Sequence, residues 1–288
     1  MSHVVALVDL FALVRRSIRR PAVPSSMGSR VKVALRVLAV LLSPVSAWAQ
    51  EQPATPHSES QWGVGLGAGM ISKPYTDVDD ETIGLPILLY ENRWVSIAGP
   101  GIDLKFPSKS SLSFRLRARY EPGVGYEADD SGALFGMEER KAGVWLGGAA
   151  LWHIEIGDVW AEWLTDASGY SEGQRATVGL QRRFPLRRFS ATPRIEAMWL
   201  DRKNVNYYYG VSAQEALASR PSYDAGSTIN TRVGLRVDYR PAARHALFLD
   251  LSATRFGSEI EDSPIVDRST SSAVFLGYVH MFRVDKPD

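Results

Sequence analysis

Three groups of residues in this chain have types that could do chemistry, and each is judged first by spacing. Gly63-Val64-Gly65-Leu66-Gly67-Ala68-Gly69 has the glycine density of a phosphate-cradling loop. Such a loop follows a strand and opens a helix. Here the glycines alternate and Pro74 follows, so they read as small side chains on one face of a strand. Beyond residue 50 the candidate general bases are His57, His153, His245 and His280. A hydrolytic site needs a histidine beside a serine, oriented by an acid or amide. His57 falls in a polar linker, His153 and His245 at the turn ends of strands, and His280 near a rim in phase with Tyr278 and Phe282. No Gly-x-Ser-x-Gly elbow occurs, so no catalytic residue is assigned and the chain reads as a non-enzyme.

Metal chemistry fares no better. No two histidines share ligand spacing, and the chain has no cysteine, which removes thiolate sites, disulfides and cysteine nucleophiles together. The acids of Asp77-Val78-Asp79-Asp80-Glu81 and Asp129-Asp130 read as solvated loops rather than cation cages. Neither metal nor cofactor is expected. The third group is Tyr207, Tyr208 and Tyr209, three consecutive aromatics in a long loop. They suit an outer interaction surface, because tyrosine is enriched at binding hot spots, and equally a loop folded inward onto the body below it.

The elements that hold these residues follow from charge and periodicity. Residues 1–50 carry seven Lys and Arg against one acid, leaving 26 basic and 31 acidic residues beyond Gln50, a net of −5. A basic front and an acidic body exclude a nucleic-acid binder. Arg30, Lys32 and Arg36 precede the apolar stretch Val37 to Leu42, Pro44 ends it, and Ala47-Trp48-Ala49 offers an A-x-A cleavage site. Residues 1–49 therefore read as leader and export signal, with Met27 a plausible start. The apolar run is far short of the ~20 residues of a spanning helix. Residues 50–60 read as a polar linker.

From residue 61 the period is two. Leu112, Phe114, Leu116, Ala118 and Tyr120 share one phase, and Ser113, Arg115, Arg117 and Arg119 the other. Thr231, Val233, Leu235, Val237 and Tyr239 oppose Arg232, Gly234, Arg236 and Asp238, and residues 246–254 repeat the pattern around Asp250. Each such strand has one apolar and one polar face, and no stretch beyond residue 60 shows a comparable helical period. Many segments reach the ~9–11 residues of a tilted membrane-crossing strand. Aromatics sit near their ends: Tyr120, Trp152, Trp199, Tyr239 and Phe282. Three lipid-facing arginines on one strand would each cost about 2–4 kcal/mol at the bilayer midplane. The polar phase must therefore face an enclosed lumen, where a charge ladder of Arg115, Arg117, Arg119, Glu196, Arg232, Arg236, Asp238 and Asp250 is expected to pair internally.

Short connections near residues 107–110, 154–157, 185–188 and 241–244 alternate with long ones at 122–138, 202–226 and 256–270, as periplasmic turns alternate with outer loops. Keeping that parity requires two short strands around Gly99-Pro100-Gly101. The expectation is an all-β, transmembrane, antiparallel up-and-down barrel of about twelve strands over 61–283, with a short tail at 284–288, in the outer membrane among its lipid and lipopolysaccharide. Two functions fit: a non-enzymatic scaffold, or a narrow pore for small solutes; an outer-membrane lipid hydrolase is the least favoured.

Several stretches resemble the MipA/OmpV family of outer-membrane proteins. These are Leu85-Pro86-Ile87-Leu88-Leu89-Tyr90, Tyr207-Tyr208-Tyr209-Gly210-Val211-Ser212-Ala213-Gln214-Glu215-Ala216, Tyr223-Asp224-Ala225-Gly226, Asp262-Ser263-Pro264-Ile265-Val266 and Gly277-Tyr278-Val279-His280-Met281-Phe282. They occur in the family's order across nearly the whole exported chain. The resemblance implies a barrel that brings a lytic transglycosylase together with a murein synthase. One departure is that Arg283 to Asp288 follow Phe282, where such barrels usually end on the aromatic residue.

Overall fold

The computed structural model describes residues 60 to 283, apart from 107 and 109. The leader, its cleavage site, the alternative start, most of the linker and the 284–288 tail lie outside the described residues.

The alternating segments form thirteen strands: β1 (Gln61–Ile71), β2 (Glu81–Glu91), β3 (Val95–Ala98), β4 (Gly101–Phe106), β5 (Leu112–Tyr120), β6 (Val144–Ile154), β7 (Gly157–Asp166), β8 (Gln174–Gln181), β9 (Phe184–Leu186), β10 (Phe189–Leu200), β11 (Thr228–Ala242), β12 (His245–Arg255) and β13 (Thr270–Arg283). Strands β8 and β9 pair with the same edge of β10, at 194–200 and 189–191. They make one stave interrupted at Arg182 and Arg183, so the closed antiparallel barrel has twelve staves. Closure comes from β1 and β13, which pair from Gln61↔Arg283 to Ile71↔Ala273. The parity argument's short hairpin is present as β3 and β4, turned by Gly99 at φ 55°, a left-handed conformation that glycine adopts without steric cost.

Burial alternates as the period of two demands. Leu66 is 73% exposed, Ile229 60% and Val178 56%, with Leu116, Ile195 and Val233 also on the outer face. Such a band is untenable in water and is what a barrel offers to lipid. Stacked aromatic pairs ring its short-turn end, Trp62 on Phe282 with centroids 4.2 Å apart and Phe189 on Tyr239 at 4.4 Å. Glycines of β1 face inward. A side chain at Gly65 would collide with the Tyr278 carbonyl, and one at Gly67 would meet the Phe275 ring.

At the level of secondary structure the sequence reading is corrected in the long loops. Two short helices lie in the long loops, α1 (Arg202–Tyr209) and α2 (Ser258–Glu261). Eight residues make barely two turns, too few to imprint a period of 3.6. What starts α1 is local: the Asp201 carboxylate accepts the Asn204 N–H at 2.8 Å, an N-cap. Val205 and Tyr208 are then buried below it.

Candidate functional site

The inward phase of the strands builds a charged interior held by cross-strand register. Arg117 stands opposite Asp103, and its Nε and Nη2 donate to the two carboxylate oxygens at 2.8 and 2.7 Å. Its Nη1 reaches Glu162 at 2.7 Å. Arg115 adds a 3.3 Å bond to Asp103. On the other side Arg194 forks onto Asp250 at 2.9 and 2.7 Å and lies 3.2 Å from Glu196. Arg232 meets Glu196 at 3.4 Å and Thr254 at 3.1 Å, and Arg236 donates to Asp238 at 3.0 Å. Bidentate guanidinium–carboxylate pairs of this kind are strong and geometrically exacting.

All eight ladder positions thus lie on the lumen face, but several partners differ from those expected. Arg115 and Arg117 are matched by Asp103 and Glu162 rather than by Glu196, Asp238 or Asp250: Asp103 lies directly opposite Arg117 and diagonal to Arg115, and Arg117 reaches Glu162 of β7 over Gly147 of β6, which leaves room for it. Arg119 has no ion-pair partner among the described residues and lines the interior cavity. Sequence reasoning also missed Arg175, which grips Glu121 through two bonds of 2.5 and 2.7 Å and lies over the Trp145 ring at 4.4 Å.

The loop end is closed by an interlocked cap. Tyr75, Tyr126, Leu134, Met137, Val211 and Ile265, drawn from four loops, pack as one buried cluster. Tyr209 packs against it, while Tyr208 and Tyr207 join a neighbouring cluster with Trp145 and Leu164. Tyr208 is 4% exposed and donates to the Lys141 carbonyl at 3.1 Å, while the Tyr207 hydroxyl accepts the Lys141 N–H at 2.8 Å. Tyr209 stacks on Tyr75. These three side chains therefore lie against the barrel mouth. Burial pushes the phenols of Tyr208 and Tyr209 above their ordinary range. Replacing Tyr208 with phenylalanine is expected to weaken the cap by about 1 kcal/mol, read as faster amide exchange in 202–209. Beneath the cap lies a cavity of about 530 Å³.

A family model described as MltA-interacting protein MipA matches residues 64–282, most of the chain. The chain belongs to the MipA family. It is 26% identical over 231 residues to the MltA-interacting protein of Escherichia coli, covering 78% of this chain and 92% of that one. It is 27% identical over 210 residues to the outer membrane protein OmpV of Vibrio cholerae, covering 73% and 82%. Among solved structures, an outer membrane channel from Pseudomonas putida shares 14% identity with a TM-score of 0.40, covering 82% of this chain and all of that one. The protein is an outer-membrane barrel.

Stretches that resemble the MipA family have a physical role in the cap. In Ser212-Ala213-Gln214-Glu215 the Ser212 hydroxyl accepts the Glu215 N–H at 3.3 Å, and Glu215 Oε2 accepts the Ser212 N–H at 3.0 Å, the reciprocal pattern of a helix capping box used here to close a turn. Glu215 Oε1 also accepts the Glu138 N–H at 3.0 Å and a guanidinium N–H of Arg140 at 2.8 Å. Ser263 donates to the Tyr209 carbonyl at 2.6 Å, and Tyr223 to the Glu259 carbonyl at 3.0 Å. These MipA-like segments fasten loops to one another.

The opposite end of the barrel carries a feature that the alternation did not disclose. Arg182, Arg183, Arg187, Arg188 and Arg244, from the turns between β8 and β12, and Arg240, from the end of β11, all project, exposed. None has an ion-pair partner among the described residues, and the two turns touch where the Arg240 N–H donates to the Arg188 carbonyl at 2.8 Å. The doubled arginines flanking Phe184-Pro185-Leu186 were the available signal. At the same end, His153 Nδ1 lies 2.6 Å from Asp158, and His245 bonds the Tyr278 hydroxyl at 2.7 Å on the outer surface. Neither ring has a serine hydroxyl as hydrogen-bond partner among the described residues, and no three His or acid side chains there are grouped to hold a metal.

Proposed function

We propose that this barrel is a non-enzymatic, non-conducting scaffold that docks murein-turnover enzymes, a lytic transglycosylase and a murein synthase, at the periplasmic end. The observation that carries the reading is the rim of six unpaired arginines on the short-turn side, the side that faces the periplasm in outer-membrane barrels. Exposed charge of one sign steers and orients a complementary partner, here an acidic surface of the docked enzyme. The name of the relatives in Escherichia coli and Shigella flexneri, MltA-interacting protein, points the same way. Outer-membrane lipid surrounds the apolar band, and lipopolysaccharide surrounds the loop end.

The test is binding of an MltA-type transglycosylase to the barrel in nanodiscs. Arg187→Glu with Arg188→Glu is expected to weaken it about tenfold or more. Arg202→Glu, at the far end of the molecule, should leave it unchanged. Equal binding by the rim variant would overturn this docking surface. The pore reading draws on the cavity and the unpaired Arg119, and it would prevail if the wild-type barrel conducted in planar bilayers; the paired ladder and the buried cap support no conductance.

A further inference from the structure

The barrel wall is not continuously hydrogen-bonded. Strand β2 runs eleven residues, yet β3 pairs only with its last three, Leu89, Tyr90 and Glu91. The Gly99 N–H adds one bond to the Leu88 carbonyl at 3.1 Å. In an antiparallel ladder the N–H and C=O of one residue point to the same side, and alternate residues point to opposite sides. Leu88 therefore shows that Thr82, Gly84 and Pro86 aim their backbone groups at the β3 side. Above the hairpin none of them meets a backbone partner among the described residues. Proline at 86 fits such an edge, since it has no N–H to leave unmade. Glycines border the cleft: a side chain at Gly84 or at Gly99 would touch nothing within 4 Å.

Across the cleft runs the segment that follows β5. Its upper end is strapped to β1 and β2 by Lys73, which donates to the Gly123 and Gly125 carbonyls at 2.8 Å each and pairs with Glu81 at 2.6 Å. The cavity under the cap reaches this cleft, because Ile83, Leu85, Pro100 and Tyr120 line it. Unpaired backbone at membrane depth is tolerated only where it borders water or a filled cavity. The cleft and the cavity are thus one feature.

The cavity's chemistry is two-sided. Ile83 and Leu85 of β2 and Phe275 of β13 give an apolar wall. The remaining wall holds Lys73, Arg119, Arg175 and Arg232 against the single acid Glu121. Lys73 is neutralised by Glu81, and Arg175 by Glu121. Arg232 meets a carboxylate only at 3.4 Å, that of Glu196, and Arg119 has no carboxylate partner among the described residues. Uncompensated guanidinium charge beside hydrocarbon fits an anionic head followed by an alkyl chain. The volume also lies within the ~300–1,000 Å³ usual for small-molecule sites.

We propose that the lumen binds a single-chain anionic amphiphile, such as a long-chain carboxylate, that enters sideways from the membrane through the cleft between β2 and the β3–β4 hairpin. Its carboxylate sits on Arg119 and Arg232, and its chain lies along Ile83, Leu85 and Phe275. This inference is independent of the scaffold reading.

The experiment uses the barrel in nanodiscs, a fluorescent long-chain fatty acid as probe, and oleate, oleyl alcohol and acetate as competitors. Saturable binding displaced by oleate but not by the alcohol or acetate is expected. Arg119→Gln should weaken it about tenfold or more, as loss of a charge-assisted bond implies. Ala273→Trp, which fills the cavity, should abolish it. Heat-modifiable migration in gels reports that each variant is folded. Because the chain has no cysteine, a bimane placed on Gly84→Cys reports the cleft alone. Nitroxide-labelled stearate should quench it, and the quenching should fade in the Arg119→Gln background. Displacement by acetate would reduce the site to a simple anion site, and displacement by oleyl alcohol to a greasy one. Either result, an absence of saturable binding, or an unquenched bimane would overturn the proposal.

Discussion

Arg117→Met is expected to destabilise the barrel by about 3–5 kcal/mol, the cost typical of stranding buried partners of a salt bridge. Arg117, Asp103 and Glu162 are only 11%, 8% and 13% exposed in their side chains. Removing the guanidinium leaves one carboxylate with only the longer Arg115 contact and the other without its bond. The check is the urea midpoint in lipid vesicles, followed by tryptophan fluorescence. Adding Asp103→Asn and Glu162→Gln to the same chain should recover most of the loss, since the stranded charges are then gone. Arg236→Met is the control: that pair is 39% and 27% exposed, where an ion pair contributes about 0–1 kcal/mol. Should Arg117→Met cost no more than Arg236→Met, the interior near Asp103 is bathed in mobile water and the tightly paired wall is wrong.

Glu215→Gln is the second large effect, and it falls on the cap. Burial pushes the Glu215 carboxyl up, but the backbone N–H groups of Glu138 and Ser212, the Ser212 side chain and the Arg140 guanidinium outweigh it and hold the pKa at about 2. A carboxyl depressed on folding stabilises the folded state above its unfolded pKa. That contribution decays as pH falls from about 4.5 towards 2, and at full strength it is roughly 3 kcal/mol. Wild-type amide protection in loop residues 201–227 should therefore hold at pH 7 and drop steeply below pH 4.5. The glutamine variant, which leaves the 9%-exposed Arg140 with only the solvent-exposed Glu138 carboxylate at 3.8 Å, should be open at pH 7 and nearly flat in this range. Equal protection of the two proteins at pH 7 would remove Glu215 as the fastener of the cap.

The strand architecture was legible because the constraint behind it is severe. A lipid-facing arginine is so costly that the alternation around Arg115, Arg117 and Arg119 leaves one orientation open, and loop parity forces the hairpin at Gly99. What could not be read was register. That Asp103 opposes Arg117 depends on where β4 slides along β5, and a six-residue strand shows too little alternation to reveal its faces. Arg175 and Glu121 meet across 54 residues with no local pattern between them. The helix α1 was hidden by its brevity, and the tyrosine run admitted two orientations until the Lys141 backbone was seen to hold Tyr207 and Tyr208. The rim arginines were visible as letters. Their clustering appears only when β10 and β11 bring two turns side by side.

Closure of the ring by β1 and β13 has a consequence for how the molecule comes into being. Partners such as Trp62 and Phe282 are separated by nearly the whole exported polypeptide, so the first stave waits for the last to be synthesised and delivered. Until then the sheet has two raw margins, each a template for a stranger's strand, and long-range pairing of this kind is intrinsically slow. A chain ending before Thr270 would be one stave short. Its guanidinium rows would be open to solvent along a seam, and quality control in the envelope would meet a sticky sheet in place of a sealed cylinder.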